Sequence, residues 1–217
     1  MKHQRLHSLA FRIGIVIIVI EAITLSTLGW LYTSRFREQI DRRVIANVQI
    51  PGKLISQNLL PYHAVTNTEL MKQFIGEEVV NSMVIQENGD VIHALHQELV
   101  GTLFTQIPGL PPEWFSKDMG APLTQFIVEQ RTKYVMNITP IPGVDGRSPA
   151  VFVYVKTKLQ QAEQEKRRIL ILFVVGTCLS VCITSLVLLA LFRQVIFARL
   201  AQTLKTVSYT HLTLPTN

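Results

Sequence analysis

A chain of 217 residues has the length of one or two soluble domains. Only 17% of it is charged, however, against roughly 25% in soluble domains, and its mean hydropathy is +0.28, which excludes a wholly soluble protein. The net charge of +6 is no nucleic-acid signature either. It comes from the two ends: residues 1–12 carry Lys2, Arg5 and Arg12 with no acid, 193–217 carry Arg193, Arg199 and Lys205 with no acid, and 33–168 balances 15 basic against 14 acidic residues.

In chain order, the cationic stretch 1–12 leads into an apolar run over 13–32 whose one charge is Glu21. A bilayer core needs roughly 20 apolar helical residues, so this run is a predicted span. It is too long for a cleaved secretory signal, and no small-residue cleavage site follows Trp30-Leu31-Tyr32. A second run, 169–192, has no charge at all and is the second predicted span. Basic flanks on one side of both spans put both termini in the cytoplasm and 33–168 outside. One feature runs against this: Arg35, Arg37, Arg42, Arg43, Lys166, Arg167 and Arg168 sit at the external ends of the spans. In so long a loop such charges constrain translocation weakly.

A carboxylate inside a span is costly and usually faces the bundle interior with a partner. Antiparallel spans bring the depth of Glu21 level with Ser180, with Thr177 and Thr184 one turn away on the same face. These hydroxyls are candidate donors to Glu21. Two readings stand: a contact that holds the spans in one signalling register, or a carboxyl that only helps insertion or dimer packing. Cys178 and Cys182, spaced i, i+4 in the same run, read as small packing residues beside Gly176, Ser180 and Thr184. No cysteine lies in 33–168, so that stretch is not a disulfide scaffold.

The stretch 33–168 opens with Phe36, Ile40, Val44 and Val48 at helical spacing, a stalk continuing the first span outward. Pro51-Gly52 must kink or break it. Thr66-Asn67-Thr68-Glu69 predicts a short second helix, with Thr66 the candidate cap. Strands are predicted over 79–86 and 91–95, joined at Asn88-Gly89 by a hairpin turn in which both positions need positive φ. Residues 107–122, rich in proline and glycine, read as a loop with one helical turn at Glu113-Trp114-Phe115. Three more strands follow, 123–129, 133–139 and 150–158, separated by Gln130-Arg131-Thr132 and by 142–147. Five short strands with turn-length connections predict an antiparallel sheet, and 159–168 is expected to be a helix running into the second span.

The order of stalk helix, short helix, hairpin, loop, three-strand meander and exit helix resembles the extracytoplasmic PAS-like sensor domains of the Cache or PDC type found in bacterial membrane receptors. The residues that carry the resemblance are the Asn88-Gly89 hairpin, the strand Val151-Phe152-Val153-Tyr154-Val155 and its direct run-out through Lys158-Leu159. It implies an α+β membrane protein, with two transmembrane helices flanking a sensor domain built on a five-stranded antiparallel sheet and a long N-terminal stalk helix. A four-helix sensor bundle offers no place for five strands. After the second span, 193–206 resembles the entry to a HAMP linker, with Leu200 and Leu204 on one face, although Ala198-Arg199-Leu200 lacks the usual proline. The last residues, 207–217, carry no charge and are expected to end the helical pattern. They resemble the translation of a sequencing-library adapter, and on that reading the natural sequence departs near Thr206 and continues into a longer protein.

No phosphate-cradling loop, zinc spacing or nucleophile motif is present, and neither a catalytic residue nor a cofactor is expected. His93, His96 and Glu98 are the nearest approach to a metal set and read as surface residues. The candidate ligand pocket lies on the sheet beneath 107–122: Trp114, Phe126, Tyr134, Phe152 and Tyr154 supply aromatic walls and Arg131 a cation suited to a carboxylate. The alternative is that the aromatics fill a core and Arg131 sits in a turn. The resemblance implies the sensory front of a sensor histidine kinase in the bacterial inner membrane, homodimeric, answering a small molecule or an envelope protein. The same front end serves diguanylate cyclases and chemoreceptors. A two-span envelope anchor without signalling output is the alternative of another class.

Overall fold

The structure is a computed structural model. It describes residues 2–108, 110, 114, 119–143 and 149–211, with side chains described from 12 to 194. Arg35–Arg168 forms one compact unit and the two ends of the chain form a second.

Helix α1, Lys2–Val48, has no proline or helix-breaking pair along its length and stops where Pro51-Gly52 follows. Pro51 then sits in the first turn of α2, Ile50–Ser56, the one place in a helix where its missing N–H costs nothing. A 3₁₀ segment, Tyr62–Thr66, leads to α3, Thr68–Ile75. The cap of α3 is Asn67, one residue later than Thr66: Asn67 Oδ1 accepts from Leu70 N at 3.0 Å, while the Thr66 hydroxyl is turned back to His63 O. Gly76, with φ of 77°, ends α3 in the left-handed conformation that glycine adopts without strain.

Five strands follow: β1 Glu78–Gln86, β2 Val91–Ala94, β3 Leu123–Glu129, β4 Thr132–Pro142 and β5 Pro149–Lys158. They form the antiparallel five-stranded sheet expected, in the order β2-β1-β5-β4-β3. One face carries Met83, Ile85, Met136, Ile138, Phe152 and Tyr154, covered by Phe104, Ile107 and Trp114. The other face packs against α2, α3 and the 3₁₀ segment. There the Ser82 hydroxyl donates to Val65 O, and Asn137 joins Thr124 to Thr139.

The tight turns do not place two positive φ values where the sequence predicts them. At Asn88-Gly89 only the glycine is left-handed, with φ of 91°; its N–H donates to Gln86 O, and Asn88 Oδ1 receives the Asp90 N–H. The turn with two positive φ values is Gln130-Arg131, at 48° and 68°. A non-glycine residue there is strained by about 1–2 kcal/mol. Changing the pair to Asn-Gly is therefore expected to stabilise the unit by about 1 kcal/mol, after allowing for the entropy of the new glycine in the unfolded chain. A rise in thermal midpoint of the full chain checks this, and an unchanged midpoint would count against strain at this turn.

Helix α4, Gln160–His211, starts after a single residue, Leu159, at the end of β5. It passes Val207 without the break expected there, since valine, serine, tyrosine and threonine are middling helix formers and not breakers. Positions 212–217 of the adapter-like tail, 144–147 of the expected turn, and Glu113 and Phe115 lie outside the described residues, as do the side chains of the HAMP-like stretch from 195.

Within the unit made by the chain ends, α1 and α4 each supply a helix long and apolar enough to cross a membrane. Ile20, Ile23, Trp30, Leu172, Leu179, Leu186 and Leu189 are all more than half exposed. Gly29 lies against the Phe173 ring so closely that a Cβ would overlap it. Small residues let transmembrane helices approach in this way.

Candidate functional site

The residues proposed from sequence for a pocket do not share one environment. Trp114, Phe152 and Tyr154 are 6%, 0% and 0% exposed and belong to the packed core, where Phe104 meets Tyr154 edge-on with centroids 6.5 Å apart. Phe126 pairs with Val135 and lies on the opposite face from Tyr134 and Tyr154. The cause is the length of one turn. With three residues at 130–132, Phe126 would face Met136 and share its side of the sheet; the observed two-residue turn shifts the register by one and reverses the side. Arg131 stands in that strained turn.

What the face does assemble is a polar edge to the core. Lys156 Nζ lies 2.9 Å from both carboxylate oxygens of Glu129 and 4.9 Å from the centre of the Tyr134 ring. Lys156 is largely covered, with 16% of its side chain exposed. Nearby, the Tyr154 hydroxyl is buried without a hydrogen-bond partner among the described residues. Burial first, and the charge of Glu129 second, push its phenol well above the ordinary tyrosine value. The patch is thus a cation already committed to Glu129, lying over Tyr134, with the Tyr154 hydroxyl enclosed beneath it.

A second constellation lies where α1, the α3–β1 corner and α4 meet. Glu77 is 4% exposed, and its carboxylate accepts three backbone N–H groups of the first turn of α4: Gln160 and Gln161 at 3.0 Å and Ala162 at 2.6 Å. A helix leaves four such donors without partners, and an anion at this end also meets the favourable pole of the helix dipole. Beside it is a cavity of about 160 Å³ lined by Arg43, Asn47, Gly76, Glu77 and Glu165 among others. Asn47 donates to Ile75 O, and Arg43 pairs with Glu165 at 3.2 Å. Lys166 closes the set, 2.6 Å from Asp41 and 2.9 Å from Glu163, which also receives Lys133.

Burial pulls the Lys166 pKa down, but its hydrogen bonds and charge pairing with Asp41 and Glu163 outweigh that and hold it above the ordinary lysine value. For Glu163 burial acts upward and is outweighed by Lys133 and Lys166, so its carboxyl titrates below the ordinary value. A depressed carboxyl stabilises the fold above its unfolded pKa and loses that contribution as pH falls through the folded one. Glu163→Gln is therefore expected to flatten the acid limb of the pH–stability curve, below the ordinary carboxylate range, and to leave its shape near neutrality unchanged. Denaturation midpoints across that range check this; parallel acid limbs in variant and wild type would refute it.

Between the apolar helices, Glu21 Oε1 receives the Thr184 hydroxyl at 2.9 Å and the Ser180 hydroxyl at 3.3 Å. Thr177 makes no hydrogen bond to it among the described residues, and Glu21 Oε2 is buried without a partner. Cys178 and Cys182 are free thiols on the exposed surface of α4. His96 Nε2 lies 3.0 Å from Val80 O, and His93 stands opposite Val84 on β2. Among the described residues no three histidine, cysteine or carboxylate side chains gather as a metal set.

Neither a protein family nor a curated protein matches the chain. Solved structures do. The E. coli DcuS sensor domain is 13% identical with a TM-score of 0.39, covering 59% of this chain and 95% of that one. The periplasmic domain of RsbU from Chlamydia trachomatis is 12% identical with a TM-score of 0.40, covering 76% of this chain and 59% of that one. The sensor domain of the V. cholerae histidine kinase DctB is 15% identical with a TM-score of 0.32, covering 76% and 60%. The chain thus spans about three fifths of the RsbU and DctB structures it matches. At these scores none of the three assigns a function to it.

Proposed function

We propose that this chain is the sensory, membrane-spanning front of a bacterial signal-transduction receptor, most simply a homodimeric sensor histidine kinase whose catalytic domains follow a HAMP-like linker. The observation that carries the reading is the path of the chain: one compact α+β unit is entered by α1 and left by α4, and both helices continue as bilayer-length apolar segments with exposed side chains. In this reading both termini are cytoplasmic and Arg35–Arg168 is the external sensor of a small molecule or an envelope protein. Of the residues named from sequence, Tyr134, with Glu129 and Lys156 beside it, is the one that would meet a polar ligand at the edge of the core. A signal acts by shifting the balance between two arrangements of the helices. Alkaline phosphatase fused after Val100 is expected to be active, and green fluorescent protein fused after Lys205 to fluoresce. The reading frame beyond Thr206 is expected to encode a HAMP segment and a kinase, and a stop codon there would overturn the receptor reading.

The Glu21 contact belongs to the same proposal. Interhelical hydrogen bonds in membranes contribute about 0.6 kcal/mol on average and up to about 1.7, enough to move a balanced equilibrium several-fold but not to decide folding. Glu21→Leu is expected to shift reporter output of the full-length receptor several-fold towards one state with expression intact, while Glu21→Gln keeps most of the balance. Wild-type basal and stimulated output in Glu21→Leu would show the contact irrelevant to signalling.

A further inference from the structure

The external ends of the two apolar segments carry four arginines that the fold does not use. Arg35 and Arg37 follow Tyr32 by three and five residues on α1, and Arg167 and Arg168 immediately precede Ile169 on α4. All four are exposed, and among the described residues none has a hydrogen-bond or ion-pair partner. Their neighbours behave differently: Arg42 pairs with Glu38, Arg43 with Glu165, and Lys166 with Asp41 and Glu163. The nearby acids are thus taken, and the four guanidinium groups remain uncompensated.

They also lie at one level. The pairs Asp41–Lys166 and Arg43–Glu165 set α1 and α4 side by side and antiparallel here. By that register Arg168 and Arg167 stand beside positions 39 and 40 of α1, so the four occupy about 7 Å of helix length. On α1, Arg35 and Arg37 come directly after Trp30 and Tyr32, which are 72% and 71% exposed. Exposed tryptophan and tyrosine at the end of an apolar helix mark the headgroup boundary of a bilayer. Guanidinium groups one to two turns further out, on side chains as long as arginine's, reach the phosphate layer, and their planar fork matches phosphate oxygens. Arginine is otherwise disfavoured on the translocated side of a span.

We propose that Arg35, Arg37, Arg167 and Arg168 form a collar that binds the phosphate headgroups of anionic phospholipid in the outer leaflet. This rests on the membrane-spanning reading above. The test uses the full chain in phosphatidylcholine vesicles, with electron spin resonance of spin-labelled phosphatidylglycerol or phosphatidylcholine reporting the relative association of each with the protein. Because Lys2, Arg5 and Arg12 can attract the same lipid at the other leaflet, the readout is the change between variants. A basic side chain near a charged membrane surface is worth roughly fivefold in association at most. R35Q/R37Q/R167Q/R168Q is expected to lose several-fold of the phosphatidylglycerol preference, and R35Q/R37Q and R167Q/R168Q each an intermediate amount. R42Q/R43Q, which removes paired arginines, is expected to keep it. Equal preference in wild type and in R35Q/R37Q/R167Q/R168Q, each with an unchanged circular dichroism spectrum, would overturn the collar while leaving the spans standing. Extraction of the wild-type chain by alkaline carbonate would overturn the spanning reading and the collar with it.

Discussion

Glu77→Ala is expected to destabilise the Arg35–Arg168 unit by about 3 kcal/mol. The carboxylate holds three of the four donors that α4 leaves open, and a hydrogen bond to a charged acceptor contributes about 1.5–3 kcal/mol. The full sum does not apply. Gln160 and Gln161 are exposed, so water can take over their N–H groups, whereas Ala162 is 4% exposed and its N–H would be left unpaired. Glu77→Gln keeps one acceptor oxygen but loses the charge that meets the helix dipole, and is expected to cost about 1–2 kcal/mol. Native-state hydrogen exchange of the full chain in micelles reads both. Roughly a hundredfold faster exchange at Val153 and Val155 in the alanine variant, with loss of protection at Ala162, is the expected result. Unchanged protection at these positions would show that α4 is held by other contacts.

Gly52→Ala is expected to be nearly as damaging, against the helix-propensity rule. Alanine in a helix interior is favoured over glycine by about 1 kcal/mol. Here its Cβ would stand 2.5 Å from Thr139 Cβ and 2.7 Å from both branches of that side chain. Thr139 Cβ cannot swing away, because it is fixed to β4 between β3 and β5. Backbone must move, and overpacking of this kind costs about 1–3 kcal/mol or more, so a net loss of about 2 kcal/mol is expected. Gly120→Ala, where a Cβ meets nothing within 4 Å, is the neutral control. Thermal midpoints of the full chain distinguish the cases. Recovery in Gly52→Ala/Thr139→Gly would identify the clash as the cause, and a stable Gly52→Ala would refute it.

The strands were legible because alternation and turn residues are local signals. β3 occupies 123–129 as read from sequence, β4 is longer than predicted by one residue at its start and three at its end, and β5 begins one residue earlier. What was not legible turns on single residues or on distance along the chain. Thr66 and Asn67 are both good caps, and only the competing bond from Thr66 to His63 O decides between them. Asn-Gly favours two left-handed positions, yet Asn88 uses its side chain on Asp90 N, while the geometry expected there falls on Gln130 and Arg131, which have no propensity for it. That turn is one residue shorter than read, which is why the aromatic set divided between two faces. Glu77 carried no signal at all. It caps a helix 83 to 85 residues away in sequence, and a Glu-Glu pair between a glycine and a β-branched run looks like surface. The Glu129–Lys156 pair was hidden in the same way, since opposite charges on strands β3 and β5 meet only once the sheet order is known.

The junction of β5 and α4 contains one residue. Leu159 is 4% exposed, and its N–H is tied to Lys133 O at 2.9 Å, so it is fastened to β4 while β5 ends on one side of it and α4 begins on the other. A joint of that kind has no slack. Flexible linkers soak up displacement in their own torsions; a single pinned residue cannot. Any shear of β5 against β4 would therefore be felt at the first turn of α4, whose N–H groups Glu77 holds from the other side.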